Sequence, residues 1–143
     1  MSTEENKILV HRFNDEYINA GNLAAADELV AVDIVDHTSP PGLTHGRESH
    51  KKVVALFHTA FPDVRWTLED VIAEGDKVAV RLTMRGTHQG EFFGIPPTGK
   101  QVTVSGIHIV RIANGRIAEH WGTNDDLGFL RQLGVLPLIE ADQ

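Results

Sequence analysis

The chain has 143 residues, of which 41% are hydrophobic and none is cysteine, and its formal net charge at pH 7 is −7. These values predict one globular domain over residues 1–143, and they exclude disulfides, thiolate metal sites and a cysteine nucleophile. The negative charge argues against a nucleic-acid partner. The sequence has neither an apolar run of roughly 20 residues that would span a membrane nor a secretory signal. We therefore expect a cytoplasmic protein that acts on a small molecule.

The first half of the chain predicts three helices. Apolar side chains at four-residue spacing indicate an amphipathic first helix that begins in the polar start of the chain and ends near Gly21. A short second helix is predicted over residues 23–29. Two prolines and two glycines then indicate a loop over residues 33–46, and a third helix follows over residues 49–60.

The second half changes to the two-residue period of β-strands. Four strands are predicted, over residues 66–72, 78–84, 102–112 and 116–123. A short C-terminal helix over residues 126–133 is ended by Gly134 and Pro137. Helices followed by an antiparallel meander indicate an α+β fold. We predict a cone-shaped, curved antiparallel sheet that packs against the three N-terminal helices and encloses a pocket.

The Asn-Gly turn between the last two strands leaves two strand registers open. A two-residue loop pairs Ala113 with Arg116, whereas a three-residue loop with a glycine bulge places His108 opposite His120. A slip of one residue moves His120 to the other face of the sheet. We favour the bulged register, because it gives one small, apolar face that carries both imidazoles.

In the favoured register this face carries Gly106, His108, His120 and Gly122, and the two glycines leave room for a ligand. His120 is the candidate acid or base, because an imidazole exchanges protons near neutral pH. His108 is a candidate donor to a carbonyl or enolate oxygen, and Asp125 is the candidate that orients His120. Structural roles stay open beside these, namely hydrogen-bonded core histidines and a helix N-cap for Asp125.

Four further side chains are candidates for binding a polycyclic ligand: His37, Trp66, Phe93 and Trp121. His37 belongs to the Pro-rich loop at the pocket rim, and the two tryptophans offer flat apolar walls. Phe93 belongs to a Gly/Pro-bounded loop that would act as a lid. Core packing is the alternative for Trp66, and a buried anchor is the alternative for Phe93.

The sequence favours neither a metal nor a cofactor. Its histidines do not have the spacing of metal ligands on a helix or strand, and the metal set that we considered, His108, His120 and Asp125, needs several rotamers to agree. Phosphate-binding loops and serine-nucleophile motifs are lacking. We therefore predict chemistry that depends on side chains alone.

Two stretches resemble a known family. The run THQGEFFGIPPTGKQVTVSGIHIVRIANGRIAEHWGTNDDLGFLRQLG and the upstream phrase VDHTSPPGLTHGRE resemble the SnoaL-like polyketide cyclases, or ester cyclases, of the nuclear transport factor 2-like superfamily. The resemblance implies a cone of curved sheet on helices and an intramolecular aldol closure of an anthraquinone-type methyl ester. It places the strand histidine of the family at His108 and its acid/base aspartate at Gly122. Since glycine cannot transfer a proton, His120 is predicted to take over that role.

Three functions stay open at this point. The first is a cofactor-free acid/base enzyme that cyclises or isomerises a hydrophobic aromatic or cyclic carbonyl compound. The second, favoured by Gly122, is a protein that binds such a ligand without changing it. The third, implied by other members of the superfamily, is a cofactor-independent hydroxylase or an epoxide hydrolase. The outer face of the sheet and the resemblance also predict a homodimer or homotetramer.

Overall fold

The computed structural model describes residues 1–136, so Pro137 lies outside the described residues. The described part is an α+β fold, as predicted, in which helices pack on one face of a five-stranded sheet. Its helical elements are α1 (Thr3–Arg12), a π-helix (Phe13–Asn19), a 3-10 turn (Leu23–Ala25), α2 (Ala26–Leu29), α3 (Arg47–Ala60) and α4 (Asp126–Leu133). Its strands are β1 (Val30–Asp36), β2 (Arg65–Glu74), β3 (Lys77–Thr87), β4 (Gln101–Ala113) and β5 (Arg116–Asn124). None of the helices within residues 1–136 has the length and apolar character that crossing a bilayer requires.

The N-terminal helix begins as predicted, but from Phe13 onward it widens into the π-helix instead of continuing as an α-helix. The side-chain amides of Asn14 and Asn19 both donate to the backbone oxygen of Trp66 in β2, at 3.1 and 2.9 Å. These bonds hold the π-helix against the sheet with Tyr17 fully buried beneath it.

The loop predicted over residues 33–46 is wrong at its start, because that segment contains the second half of β1. β1 is an edge strand that pairs in parallel with β5, and this pairing places Asp36 beside His120. A sequence pattern reads local turn signals, whereas a parallel pair joins segments that are far apart in the chain. The sheet is therefore mixed, with four antiparallel strands and one parallel edge strand, in the order β1-β5-β4-β3-β2.

The apolar core forms two clusters on the helix-covered face of the sheet. The larger cluster joins α1, the π-helix, α2 and β1 to the part of β4 around Val110 and Ile112. The smaller cluster joins Phe61 and Phe129 to the part of β4 around Val104. Gly106 and His108 occupy the inward positions of β4 between the two clusters, so polar side chains interrupt the core at the centre of the sheet.

The register of β4 and β5 corrects the favoured prediction. The turn has two residues, and the chain then bulges at Ala118, which has no partner between the pairs Ile112–Ile117 and Arg111–Glu119. His108 consequently lies opposite Gly122 and not opposite His120. The bulge inserts one residue, and for this reason His108 and His120 still share the inward face, as predicted.

Candidate active site

The inward face of the sheet carries a continuous chain of hydrogen bonds with His120 at its centre. Nδ1 of His120 lies 3.0 Å from Oδ1 of Asp36, and Nε2 of His120 lies 2.7 Å from Nδ1 of His108. Nε2 of His108 in turn lies 2.7 Å from Oδ1 of Asn124. Strands β1, β5 and β4 thus each contribute to one polar array.

These contacts define where the protons are. Nε2 of His108 faces an amide oxygen and donates to it, so Nδ1 of the same neutral ring accepts from Nε2 of His120. Nδ1 of His120 faces the Asp36 carboxylate and also donates. His120 therefore carries a proton on both nitrogens and forms an ion pair with Asp36, while His108 is neutral.

Asp36 is a buried carboxylate held in its ionised form. Burial alone would raise its pKa, but the hydrogen bond and charge of His120 and the bond from Thr38 outweigh burial and hold the pKa well below its usual range. The backbone nitrogen and Oγ1 of Thr38 donate to Oδ1 at 2.8 and 2.7 Å, and Oγ of Ser39 donates to Oδ2 at 2.9 Å. Asp36 therefore presents a fixed negative charge to the imidazole.

A second imidazole approaches Asp36 from the helices. Nε2 of His50, on α3, lies 3.4 Å from Oδ2 of Asp36, and its Nδ1 lies 2.8 Å from the hydroxyl of Tyr17 in the π-helix. Tyr17 donates to Nδ1, which leaves the proton of neutral His50 on Nε2, directed at the carboxylate. Burial lowers the pKa of His50 to about 4, against the opposing effect of the Asp36 charge.

His108 is also kept neutral by its surroundings. Burial, with the positive charge of His120 as the second cause, lowers the pKa of His108 to about 4. The pair His108 and His120 thus consists of one neutral and one charged imidazole in direct contact, with a carboxylate on the charged ring. An array of this kind can accept, hold and return a proton.

The two glycines provide space for these side chains and not for an open cavity. A Cβ on Gly122 would lie 2.7 Å from Nδ1 of His108, and a Cβ on Gly106 would lie 2.2 Å from Oδ1 of Asn124. The space over both glycines is therefore occupied by the array. An aspartate at position 122, where the family resemblance places its acid/base, would require the ring of His108 to move.

We expect Gly122→Ala to lower the free energy of unfolding by about 1–3 kcal/mol, because the added methyl group overpacks against a ring that two hydrogen bonds hold in place. Urea denaturation measures this change. Thr123→Ala, at the neighbouring exposed position of β5, is the matched control and should shift stability by less than about 0.5 kcal/mol. Equal stability of the Gly122 variant and the wild type would show that His108 is free to move.

Two predicted binding residues lie on the other face of the sheet. Trp121 pairs with Ile109, whose side chain is on the outer face, and its indole stacks on the ring of His37 at a centroid distance of 5.3 Å. Nε2 of His37 contacts the Glu119 carboxylate at 2.7 Å. The structure therefore places Trp121 and His37 away from the inward face that carries His120, because side chains alternate along β5 and Trp121 points to the side opposite His120.

The contact with His120 that was predicted for Asp125 is made by Asp36. The side chain of Asp125 accepts from the backbone nitrogen of Gly128 at 2.9 Å and caps α4, which is the structural alternative stated for it above. Trp66 packs edge-on against Phe57 at a centroid distance of 5.4 Å and belongs to the core. Phe93 is 53% exposed at the tip of its loop, whereas its neighbour Phe92 is stacked on Phe129.

Asp36, His50 and Tyr17 are not among the site residues predicted from the sequence. Asp36 belonged to a segment interpreted as a loop, and His50 to a helix whose inward face was identified only from its apolar residues. One signal was available: the valines and isoleucine before Asp36 have strand character, and an acidic residue at an inward strand position needs a buried partner.

Comparisons with known proteins agree with this fold. The family model of the SnoaL-like polyketide cyclases matches residues 8–133. The aklanonic acid methyl ester cyclase DnrD of Streptomyces peucetius is 31% identical over 124 residues, which cover 82% of this chain and 85% of the relative. The nogalonic acid methyl ester cyclase of Streptomyces nogalater is 31% identical over 123 residues, covering 82% of this chain and 91% of the relative.

Among solved structures, TsrD from Streptomyces laurentii superposes with a TM-score of 0.87 at 30% identity, covering 95% of this chain and 99% of that chain. The chain therefore belongs to the SnoaL-like polyketide cyclase family.

Proposed function

We propose that the protein closes a ring in a hydrophobic, aromatic methyl ester by a cofactor-free intramolecular aldol addition. The observation that carries this proposal is the Asp36–His120–His108 chain, in which one imidazole is paired to a buried carboxylate and contacts a neutral second imidazole. The substrate class comes from the relatives, which are named for the methyl esters of aklanonic and nogalonic acid.

His120 is the proposed acid/base. Loss of one proton leaves Nδ1–H bonded to Asp36 and a lone pair on Nε2. This lone pair becomes available to the substrate when Nε2 separates from Nδ1 of His108, which it contacts at 2.7 Å without substrate. Nε2 takes the proton from the carbon next to a carbonyl group, and Asp36 stabilises the imidazolium that forms.

The same imidazole completes the reaction. The enolate carbon attacks a second carbonyl carbon, the π electrons of that carbonyl move to its oxygen, and the oxygen takes the proton back from Nε2. One carbon–carbon bond forms, and no proton or electron is left over, so the reaction needs no oxidant. His108 is the proposed donor to the enolate oxygen, through the Nε2 proton that it otherwise gives to Asn124.

The test is cyclisation of aklanonic acid methyl ester, with proton exchange in D2O followed by NMR as a second readout. We expect turnover by the wild type and a loss of about 10²–10⁴-fold in His120→Gln, with ligand binding retained in thermal shift. Binding without turnover or exchange in the wild type would make the protein a binding module. Full activity of the variant would exclude His120 as the acid/base.

We also propose that the protein forms a homodimer through the outer face of the sheet. Three isoleucine side chains on that face are exposed, at 66% for Ile72, 60% for Ile107 and 38% for Ile109. They lie on β2 and β4, the two strands that flank β3, and form an apolar surface that a second copy of the chain would cover. Light scattering of the purified protein tests the mass in solution. A monomer at micromolar concentration would exclude this interface.

A further inference from the structure

Three side chains of the site present metal-ligating atoms to one point. These atoms of Asp36, His50 and His120 all lie within 4.8 Å of one another. Asp36 and His50 are each 4% exposed, and the His120 side chain is 15% exposed. The three residues come from β1, α3 and β5, so the whole fold, and not one flexible loop, holds them together.

The spacing of these atoms suits a metal ion. A metal–ligand bond of about 2.1 Å places neighbouring ligand atoms about 3.0 Å apart in octahedral geometry and about 3.4 Å apart in tetrahedral geometry. Oδ1 of Asp36 lies 3.0 Å from Nδ1 of His120, and Oδ2 of Asp36 lies 3.4 Å from Nε2 of His50. The ligand atoms of the third pair, on the two imidazoles, lie within 4.8 Å of each other.

Each of these residues also has a partner on its far side. The second ring nitrogen of His50 contacts the hydroxyl of Tyr17 at 2.8 Å, and the second ring nitrogen of His120 contacts His108 at 2.7 Å. The carboxylate of Asp36 accepts from Thr38. Metal-binding histidines and carboxylates characteristically have such outer partners, which set the tautomer and orientation of each ligand.

We propose that Asp36, His50 and His120 bind one divalent first-row transition-metal ion, such as Zn²⁺ or Co²⁺, as a two-histidine, one-carboxylate site. Two imidazoles and one carboxylate are a donor set that these ions prefer and that leaves further coordination positions open. The proposed set shares only His120 with the metal set considered from the sequence, and it replaces the expectation of no metal.

The ion would take the place of protons. Nδ1 of His120 and Nε2 of His50 both direct a proton at Asp36 in the hydrogen-bonded arrangement described above, and both nitrogens must give up that proton to coordinate a metal. The metal-bound arrangement and the Asp36–His120 ion pair therefore exclude one another. Metal binding stands independently of the proposed cyclisation, because it is detected without substrate.

The test is titration of the EDTA-treated full-length protein with Co²⁺. We expect saturation at one equivalent, visible ligand-field absorption bands, displacement by Zn²⁺ and a rise in Tm. His50→Gln should weaken binding by about 100-fold or more, whereas His45→Gln, at an exposed histidine outside the cluster, should leave it unchanged.

A readout on the wild type avoids any folding defect of the variants. Bound Co²⁺ should produce two hyperfine-shifted imidazole N–H signals in the proton NMR spectrum, one from each histidine. No saturable binding of either ion, or binding that His45→Gln removes and His50→Gln does not, would overturn the metal site. Cyclisation by the EDTA-treated protein is measured separately, so failure of the metal site leaves the proposed function standing, and failure of cyclisation leaves the metal data unaffected.

Discussion

Asp36→Asn is expected to lower kcat for aklanonic acid methyl ester by about 10²–10⁴-fold while KM changes little. An asparagine keeps the size of the side chain but carries no charge, so it no longer stabilises the imidazolium form of His120. An amide can also present its NH2 group to Nδ1, which favours the wrong tautomer of the ring. Steady-state kinetics with the cyclisation product as readout measure the effect.

Asp125→Asn is the matched control for this change. Asparagine is as good an N-cap as aspartate, so the bond to Gly128 that caps α4 is kept and kcat should stay within a factor of about two of the wild type. The opposite pattern, in which the Asp125 variant is inactive and the Asp36 variant is active, would restore the assignment made from sequence. A circular-dichroism spectrum establishes that both variants are folded.

The second large effect is a loss of stability in mild acid. The pKa values of His50 and His108 are both lowered to about 4 by burial, whereas an imidazole in the unfolded chain titrates near 6.5. Above pH 6.5 both histidines are neutral in the folded and in the unfolded chain, so their lowered pKa values do not change the free energy of unfolding. Between pH 6.5 and 4 only the unfolded chain binds the protons, so stability falls as the pH falls. The loss is about 3 kcal/mol for His50 and less for His108, which is partly exposed.

Urea denaturation of the EDTA-treated protein at pH 7 and pH 4.5 measures this loss. His50→Gln should reduce the difference between the two pH values, whereas His11→Gln, at an exposed position of α1, should leave it unchanged. A free energy of unfolding that is the same at both pH values would mean that neither imidazole is buried as described. Asp36 affects stability in a lower pH range, because its lowered pKa contributes stability that is lost only as the pH falls below about 4.

The parts of the fold that depend on local pattern were predictable. The helix and strand periods identified the helices and the four antiparallel strands in their order, but not β1. His108 and His120 share one face, as the favoured register predicted. The exact register was not predictable, because the Asn-Gly turn left two loop lengths open and neither of them included a bulge at Ala118. Relative to the favoured register, the bulge changes the partner of His108 from His120 to Gly122 but leaves His108 and His120 on one face and Trp121 on the other.

The parts of the site that depend on distant contacts were not predictable. Asp36 reaches His120 through a parallel strand pair, and Tyr17 in the π-helix reaches His50 on α3, 33 residues further along the chain. No local pattern distinguishes an aspartate at the end of such a strand from an aspartate in a loop. The contact between His108 and His120 was therefore within reach of the sequence, whereas the carboxylate that contacts His120 is Asp36 and not the predicted Asp125.

The position of β1 at the edge of the sheet has a consequence for the lifetime of the assembled site. An edge strand with one neighbour separates from a sheet at a lower free-energy cost than a central strand does, and Asp36 is the last residue of β1. The contact between the Asp36 carboxylate and the His120 imidazole therefore depends on the pairing of the edge strand β1 with β5. Local opening of the β1–β5 pair separates His120 from Asp36 while the rest of the fold stays intact. The fraction of molecules with an assembled site is therefore set by this local equilibrium and not by the global free energy of unfolding.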